Sequence, residues 1–197
     1  KTEKIISIAK SLTSSDLAIV LLSGGGSAMF VKPAQGITLE EKSDLTKKLL
    51  KSGADIHEIN TIRKHLSLVK GGQLAKYLYP ATTYCYAISD VIGNDLSIIA
   101  SGPLTADPST FQNAVKILRK YKITPSKSIK IHLEKGINKQ IPETPKSSEK
   151  YFKNVKMKII ADQNFSANLA AKRAKRLNLK YKIVSTKISG ESKEVAK

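Results

Sequence analysis

The order of patterns along the chain predicts an α/β fold: a Rossmann-like, largely parallel sheet flanked by helices in three layers. Three observations carry this. Short apolar or β-rich runs of strand length recur at Leu17–Val20, Thr82–Ile88, Val155–Ala161 and Tyr181–Ser185. Between them lie amphipathic segments that open on helix-start signals, and strand–helix–strand alternation builds parallel crossover units. The first three runs break into glycine or aspartate, at Gly24, Asp90 and Asp162, and the carboxyl edge of such a sheet is where ligands bind.

The elements follow in order. Ile5, Ile6, Ala9 and Leu12 predict an opening amphipathic helix. Residues Ala28–Gly36, with Pro33, read as a loop. Thr38-Leu39-Glu40-Glu41 is a capping box, in which each end residue can satisfy the other's N–H. The helix it opens runs to Gly53, with Leu39, Leu45, Leu49 and Leu50 expected inward. Asp55 and Glu58 form a second box, followed by the stripe Ile59, Ile62, Leu66 and Val69. Asp107-Pro108 is expected to cap the next helix, with Phe111, Val115, Leu118 and Tyr121 as its core face, and Thr124-Pro125 the one after, reaching Gly136. Asn138–Lys153 reads as a polar surface loop, and a further helix is expected from about Asn164. The close, Ser189–Lys197, looks like a helix starting.

The chain has 197 residues, enough to bury a core, and a net charge of +18. No apolar run approaches membrane-spanning length and no secretory pattern is present. The lone Cys85 lies mid-strand, where a small buried residue is expected. These features point to a cytoplasmic protein without a membrane partner. The lysines are scattered. The densest basic stretch, Lys172 to Arg176, falls opposite Phe165, Leu169, Ala170, Ala174 and Leu177 on a helix and reads as a solvated face. Without a continuous stripe or interleaved aromatics, no nucleic-acid partner is expected. The charge instead suits anionic small molecules.

Three groups of residues can carry chemistry. Ser23, Gly24, Gly25, Gly26 and Ser27 follow the first strand, and successive glycine N–H groups can turn inward around a phosphate or carboxylate. Asp90 ends the second strand and Asp95 follows it; a carboxylate facing a phosphate loop is suited to hold Mg²⁺. Asn60, Arg63, Lys64 and Ser67 share one helix face and Lys70 follows, an arrangement fit either to clamp an anion or simply to meet solvent. Ala100-Ser101-Gly102-Pro103 is a small-residue turn that can line the same cleft.

These residues carry a family resemblance. The blocks Leu21–Ala28 (LLSGGGSA), Leu49–Ala54 (LLKSGA), Glu58–Ser67 (EINTIRKHLS), Val69–Ala75 (VKGGQLA), Ser89–Asp95 (SDVIGND), Ile99–Pro103 (IASGP) and Glu143–Lys146 (ETPK) resemble, in order, the MOFRL-type glycerate kinases. The resemblance implies an ATP-dependent enzyme that phosphorylates glycerate on its 2-hydroxyl with Mg²⁺, its active site lying between two α/β domains. It places Asp90 in the site as metal ligand or catalytic carboxylate; Asp95 stays a candidate metal carboxylate from its position alone. Ser23–Ser27 match the family's glycine loop, and Arg63, Lys64 and Lys70 match a basic block for phosphate or the glycerate carboxylate. ATP and glycerate are the small-molecule partners, and an oligomer is compatible with it.

Residues 1–197 are accordingly expected to be most of the amino-terminal domain of a two-domain kinase, with the MOFRL domain outside this sequence and the piece inactive alone. Two other classes were weighed. A hydroxypyruvate reductase using a nicotinamide cofactor should show Gly-x-Gly-x-x-Gly, and Gly24-Gly25-Gly26-Ser27-Ala28-Met29 lacks the third glycine's spacing. A basic nucleic-acid module would need a recognised motif, and none is found.

Overall fold

The computed structural model describes residues 1–187. In chain order they form α1 (Thr2–Ser11), β1 (Leu17–Leu22), α2 (Gly26–Met29), α3 (Leu39–Lys51), α4 (Ile56–His65), α5 (Gln73–Leu78), β2 (Thr82–Ile88), a 3₁₀ turn (Ile99–Ser101), α6 (Phe111–Lys120), α7 (Lys127–Ile137), a second 3₁₀ turn (Lys150–Asn154), β3 (Val155–Ala161) and α8 (Gln163–Arg176). The strands pair in the order β1-β2-β3, all parallel, with Leu17 opposite Thr82 and Thr83 opposite Val155. The α/β class with a parallel sheet flanked by helices is therefore the observed one.

Two apolar cores form. Ala18, Val20 and Leu22 of β1 pack with buried Cys85 of β2 and with Met157 of β3 against Leu74, Ala75 and Leu78 of α5 and Ala9 of α1. The second core is helical: Leu45 and Leu49 of α3, Ile59 and Ile62 of α4, Phe111, Ala114 and Leu118 of α6, and Ile129 and Leu133 of α7. Burial of these side chains removes on the order of 1.5–3 kcal/mol of apolar exposure each, so the helical cluster holds itself together beside the sheet. On β1, the alternate row Leu17, Ile19 and Leu21 stays exposed.

Both capping boxes form as the sequence predicts. Thr38 Oγ1 accepts from Glu41 N–H and Glu41 Oε2 accepts from Thr38 N–H; Asp55 and Glu58 exchange the same pair. Other expectations are corrected. Leu39 and Leu50 are exposed, because α3 buries the face of Lys42, Leu45 and Leu49 instead. The cap of α6 is Thr110, boxed with Asn113; Asp107 is buried and occupied by Lys64 and Ser109. Ser126, not Thr124, caps α7. A helical turn, Gly26–Met29, overlaps the start of the expected loop. The 138–153 segment is not merely surface: Thr144 is buried and Glu143 binds inward. Phe165, Leu169 and Leu177 of α8 are exposed, and no residue of that helix is buried.

Tyr181–Ser185 forms no strand. Tyr181 and Val184 stand exposed, and β-rich composition expresses fit to a half-buried pleated surface, which nothing among the described residues offers them. The Ser189–Lys197 expectation lies outside the described residues.

Candidate active site at the carboxyl edge of the sheet

The glycine loop leaves β1 as its last residue pairs with Ala87. Gly25 takes φ 80°, a left-handed conformation open to glycine at little cost, and turns the chain into α2. Gly24 lies so close to Asp90 that a Cβ there would overlap the carboxylate Oδ2. This absence of a side chain sets the exposed Asp90 carboxylate directly against the loop's backbone. Among the described residues, the Gly24 and Gly25 N–H groups donate no hydrogen bond. The site thus joins free backbone donors to one free carboxylate, the pairing that a phosphate bridged to a divalent cation requires. Asp95 is partly engaged: its Oδ1 accepts from Ser97 N–H at 2.8 Å. No three His, Cys, Asp or Glu side chains converge on a metal position among the described residues. Asp90 therefore fits a metal held largely by a ligand's own oxygens rather than by a protein cage.

The 100–102 turn forms the loop's second wall. Ala100 and Ser101 both take positive φ, 52° and 61°, and Gly102 follows at 61°. Two successive non-glycine residues in the left-handed region cost on the order of 1–3 kcal/mol each and persist only where surroundings fix them. Here they do. Gly71 N–H donates to Ser101 O at 3.1 Å and Gly72 N–H to Gly102 O at 2.8 Å. Ser101 Oγ donates to Asn60 Oδ1 at 2.9 Å. Its one proton spent there, it accepts from Ser27 Oγ at 3.0 Å. Lys70 Nζ then donates to Ser27 O at 2.9 Å and Ala100 O at 3.2 Å, pinning both walls from behind. A Cβ on Gly26 would meet the Ala100 methyl at 3.0 Å, so the two walls touch.

The predicted basic face divides into two kinds of residue. Asn60 is buried, and its Nδ2 has no partner. Arg63 is half-buried, and no carboxylate pairs with it among the described residues. Lys64 is engaged by buried Asp107 at 3.4 Å, and Lys70, 1% exposed, is taken up by the two carbonyls. Burial, with the Arg63 charge nearby, lowers the Lys70 ammonium to about 7.

Three participants were not singled out from the sequence. Lys42 is buried and donates to Leu66 O at 3.1 Å; burial, then the Lys70 and Arg63 charges, lower it to about 7. Its signal was its spacing, since Lys42, Leu45 and Leu49 fall on one face at i, i+3 and i+7. Asp107 accepts from Lys64 and the Ser109 hydroxyl, and Lys146 Nζ reaches its carbonyl at 2.8 Å. Glu143 receives His65 Nε2 at 2.9 Å and the N–H groups of Phe111 and Thr144. Burial opposes ionisation of Glu143, but these bonds outweigh it and hold the carboxyl below its ordinary value. His65, with Nδ1 on Thr61 O at 2.7 Å, is built into the scaffold. Cys85 is buried, and desolvation raises its thiol to about 11, which excludes a ready thiolate.

Two cavities are notable. A crevice of about 320 Å³ lies beyond the ends of β2 and β3, lined by Val91–Asn94, Asp162–Asn164, Thr186 and Lys187. A groove of about 660 Å³ runs along β1 beneath α1, lined by side chains such as Ile5, Ile8, Leu12, Ile19 and Leu21. No described helix is long and apolar enough to cross a membrane.

The geometry has clear relatives. A glycerate 2-kinase of Pyrococcus horikoshii is 43% identical over 194 residues, 98% of this chain and 43% of that protein. A D-glycerate 2-kinase of Thermotoga maritima is 39% identical over 196 residues, 100% of this chain and 44% of the relative. The chain thus spans less than half the length of these curated relatives. A crystal structure of a Thermotoga maritima glycerate kinase superposes with a TM-score of 0.78 at 40% identity, covering 93% of this chain and 42% of that one. A family model described as a domain of unknown function, DUF4147, matches residues 1–134, and the chain belongs to that family.

Proposed function

We propose that this chain supplies the glycine-loop and Asp90 portion of an ATP-dependent glycerate 2-kinase. The observation that carries the reading is the approach of the Asp90 carboxylate to the side-chain-free backbone at Gly24, on the carboxyl edge of a parallel sheet. Relatives bearing the name glycerate 2-kinase along nearly all of the chain support it.

In this reading the free Gly24 and Gly25 amides of the Gly24–Gly26 loop cradle phosphate oxygens, and Ser23 and Ser27 flank them. Asn60 Nδ2 and Arg63, the donors left without carboxylate partners, receive the anionic end of glycerate or a phosphate. Lys64, paired with Asp107, and Lys70, bonded to the Ser27 and Ala100 carbonyls, support the anion-binding residues from behind the site. The glycerate 2-hydroxyl oxygen bonds to the γ-phosphorus as the bond from that phosphorus to the β–γ bridging oxygen breaks. ADP leaves, and the hydroxyl proton passes to solvent or to a nearby carboxylate. Asp90, with Asp95 as a further oxygen donor, would hold Mg²⁺, and the chemistry the ion would supply is charge neutralisation on the phosphates. Such transfers depend on positioning and electrostatics, which the pinned walls of the loop provide. The spacing after Gly24–Gly26 disfavours a nicotinamide reductase.

The test is to incubate the full-length protein carrying this chain with ATP, Mg²⁺ and D-glycerate and to follow phosphorus NMR. A growing 2-phosphoglycerate resonance with stoichiometric ADP is the expected result. Intact ATP after prolonged incubation with active-site concentrations of protein contradicts the reading.

A further inference from the structure

A group of buried charges gathers around His65, the last residue of α4, away from the glycine loop. We propose that His65 is a positioning residue that carries a proton on both ring nitrogens, an imidazolium clamped between Thr61 O and Glu143, and that this clamp sets the Asn60 and Arg63 donors of α4 toward the anion. The charge follows from the contacts alone; its use toward an anion rests on the kinase reading.

The proton count comes first. The His65 side chain is fully buried. Nδ1 lies 2.7 Å from Thr61 O, and a carbonyl oxygen only accepts, so Nδ1 bears a proton. Nε2 lies 2.9 Å from Glu143 Oε1. That oxygen also accepts from Thr144 N–H at 3.0 Å, and Glu143 Oε2 accepts from Phe111 N–H at 3.0 Å. Burial disfavours the ionised form of Glu143, but these bonds hold its carboxyl below its ordinary value. Glu143 is therefore an acceptor, and Nε2 bears the second proton.

The surroundings suit a cation. Asp107 Oδ2, buried without a hydrogen-bond partner, stands 4.0 Å from Nδ1. Two carboxylates thus face a ring whose charge water cannot reach, and a buried charge persists only where it is paired. A positive ring in the last turn of α4 also meets the negative end of the helix. The neighbouring cations are engaged elsewhere, Lys64 on Asp107 Oδ1 and Lys146 on the carbonyls of Asp107 and Ser109. His132 of α7 donates from Nε2 to His65 O at 2.9 Å, and burial lowers its own ring toward the neutral form. The clamp has a structural consequence. Residues 143–146 and the turn holding Asp107 both close on the end of α4, through His65 and Lys64. Asn60 and Arg63 lie in the preceding turns of the same helix, and Asn60 already meets Ser101 Oγ at 2.9 Å beside the glycine loop. A singly protonated ring would keep one of its two donors and release residues 143–146 from α4.

Nitrogen NMR of the full-length protein carrying isotope-labelled histidine, at about pH 7.5, tests the assignment, with the His65 signals identified by their loss in His65→Gln. Expected are two protonated ring nitrogens on His65, where a solvent-exposed histidine, with a value of about 6.5, carries mostly one proton. Glu143→Gln keeps the shape of the side chain and offers an amide that can donate to Nε2, so the ring should fall to the neutral form protonated at Nδ1 alone. In that variant KM for glycerate or for ATP should rise about tenfold while kcat changes less, the pattern of lost binding. A single ring proton on His65 in the wild type, a doubly protonated ring that survives in Glu143→Gln, or unchanged KM values in that variant each overturns the proposal. A wild-type protein with a doubly protonated His65 and no 2-phosphoglycerate loses the kinase reading and keeps the clamp. One that makes product with a singly protonated His65 does the reverse.

Discussion

Lys70 and Lys42 are the residues that local physics alone would not place inside a protein. Each is buried and each donates to carbonyl oxygens rather than to a carboxylate, so their charge is tolerated rather than neutralised. Both ammonium groups are lowered to about 7 from an ordinary value of 10.5. The sign of the linkage follows. Between pH 7 and 10.5 the unfolded chain binds more protons than the folded one, so stability rises with pH in that window and the penalty is full below it. Cys85, raised to about 11, reverses part of the gain above pH 9. Urea unfolding from pH 7 to 8.5 should therefore show stability rising with pH. Lys70→Met or Lys42→Met should each make that rise shallower. A stability that is flat or falls over this range contradicts the burial of both.

At the scale of elements, α7 shows packing opposed to propensity. Gly136 sits inside the helix, where alanine is preferred by about 1 kcal/mol. Yet a Cβ at that position would lie within the Phe111 ring of α6. Overpacking of this kind costs typically 1–3 kcal/mol, and the ring is itself wedged between His65 and His132, at 4.7 and 5.8 Å between centroids. Gly136→Ala should therefore destabilise the protein by about 1–2 kcal/mol net in thermal or urea unfolding, and a gain in stability would show that α6 and α7 can separate freely. The same contest decided what the sequence revealed. β2 and β3 were legible to the residue because β-rich runs end in polar turns, and the boxes at Thr38 and Asp55 because their geometry is local. The start of α6 was not, since Asp107 is a good cap by type and only the tertiary pairing with Lys64 removes it from that role. Tyr181–Ser185 had strand composition but, among the described residues, no neighbouring surface to satisfy it.

In the whole molecule, α4 joins the two halves. Ile59 and Ile62 enter the helical core, while Asn60 and Lys64, on the adjoining face, reach the 100–107 segment beside the glycine loop. The helical cluster thereby fixes the back of a site whose front belongs to the sheet. The glycine loop, Asp90 and the basic face were legible in the sequence because each is a short motif at a strand end or on one helix face. The division of labour within that face was not. It depends on contacts with residues 27, 100, 101 and 107, far away in sequence, which leave Asn60 and Arg63 as the available donors. The central claim is that Asp90, set against Gly24, takes part in the chemistry. The most direct measurement is the phosphorus NMR assay on Asp90→Asn beside wild type, with folding checked by circular dichroism. In a folded Asp90→Asn protein the 2-phosphoglycerate signal should fall by about 100-fold or more, on the order of 3 kcal/mol in the barrier. Product formation at the wild-type rate would contradict it and leave Asp90 outside the reaction.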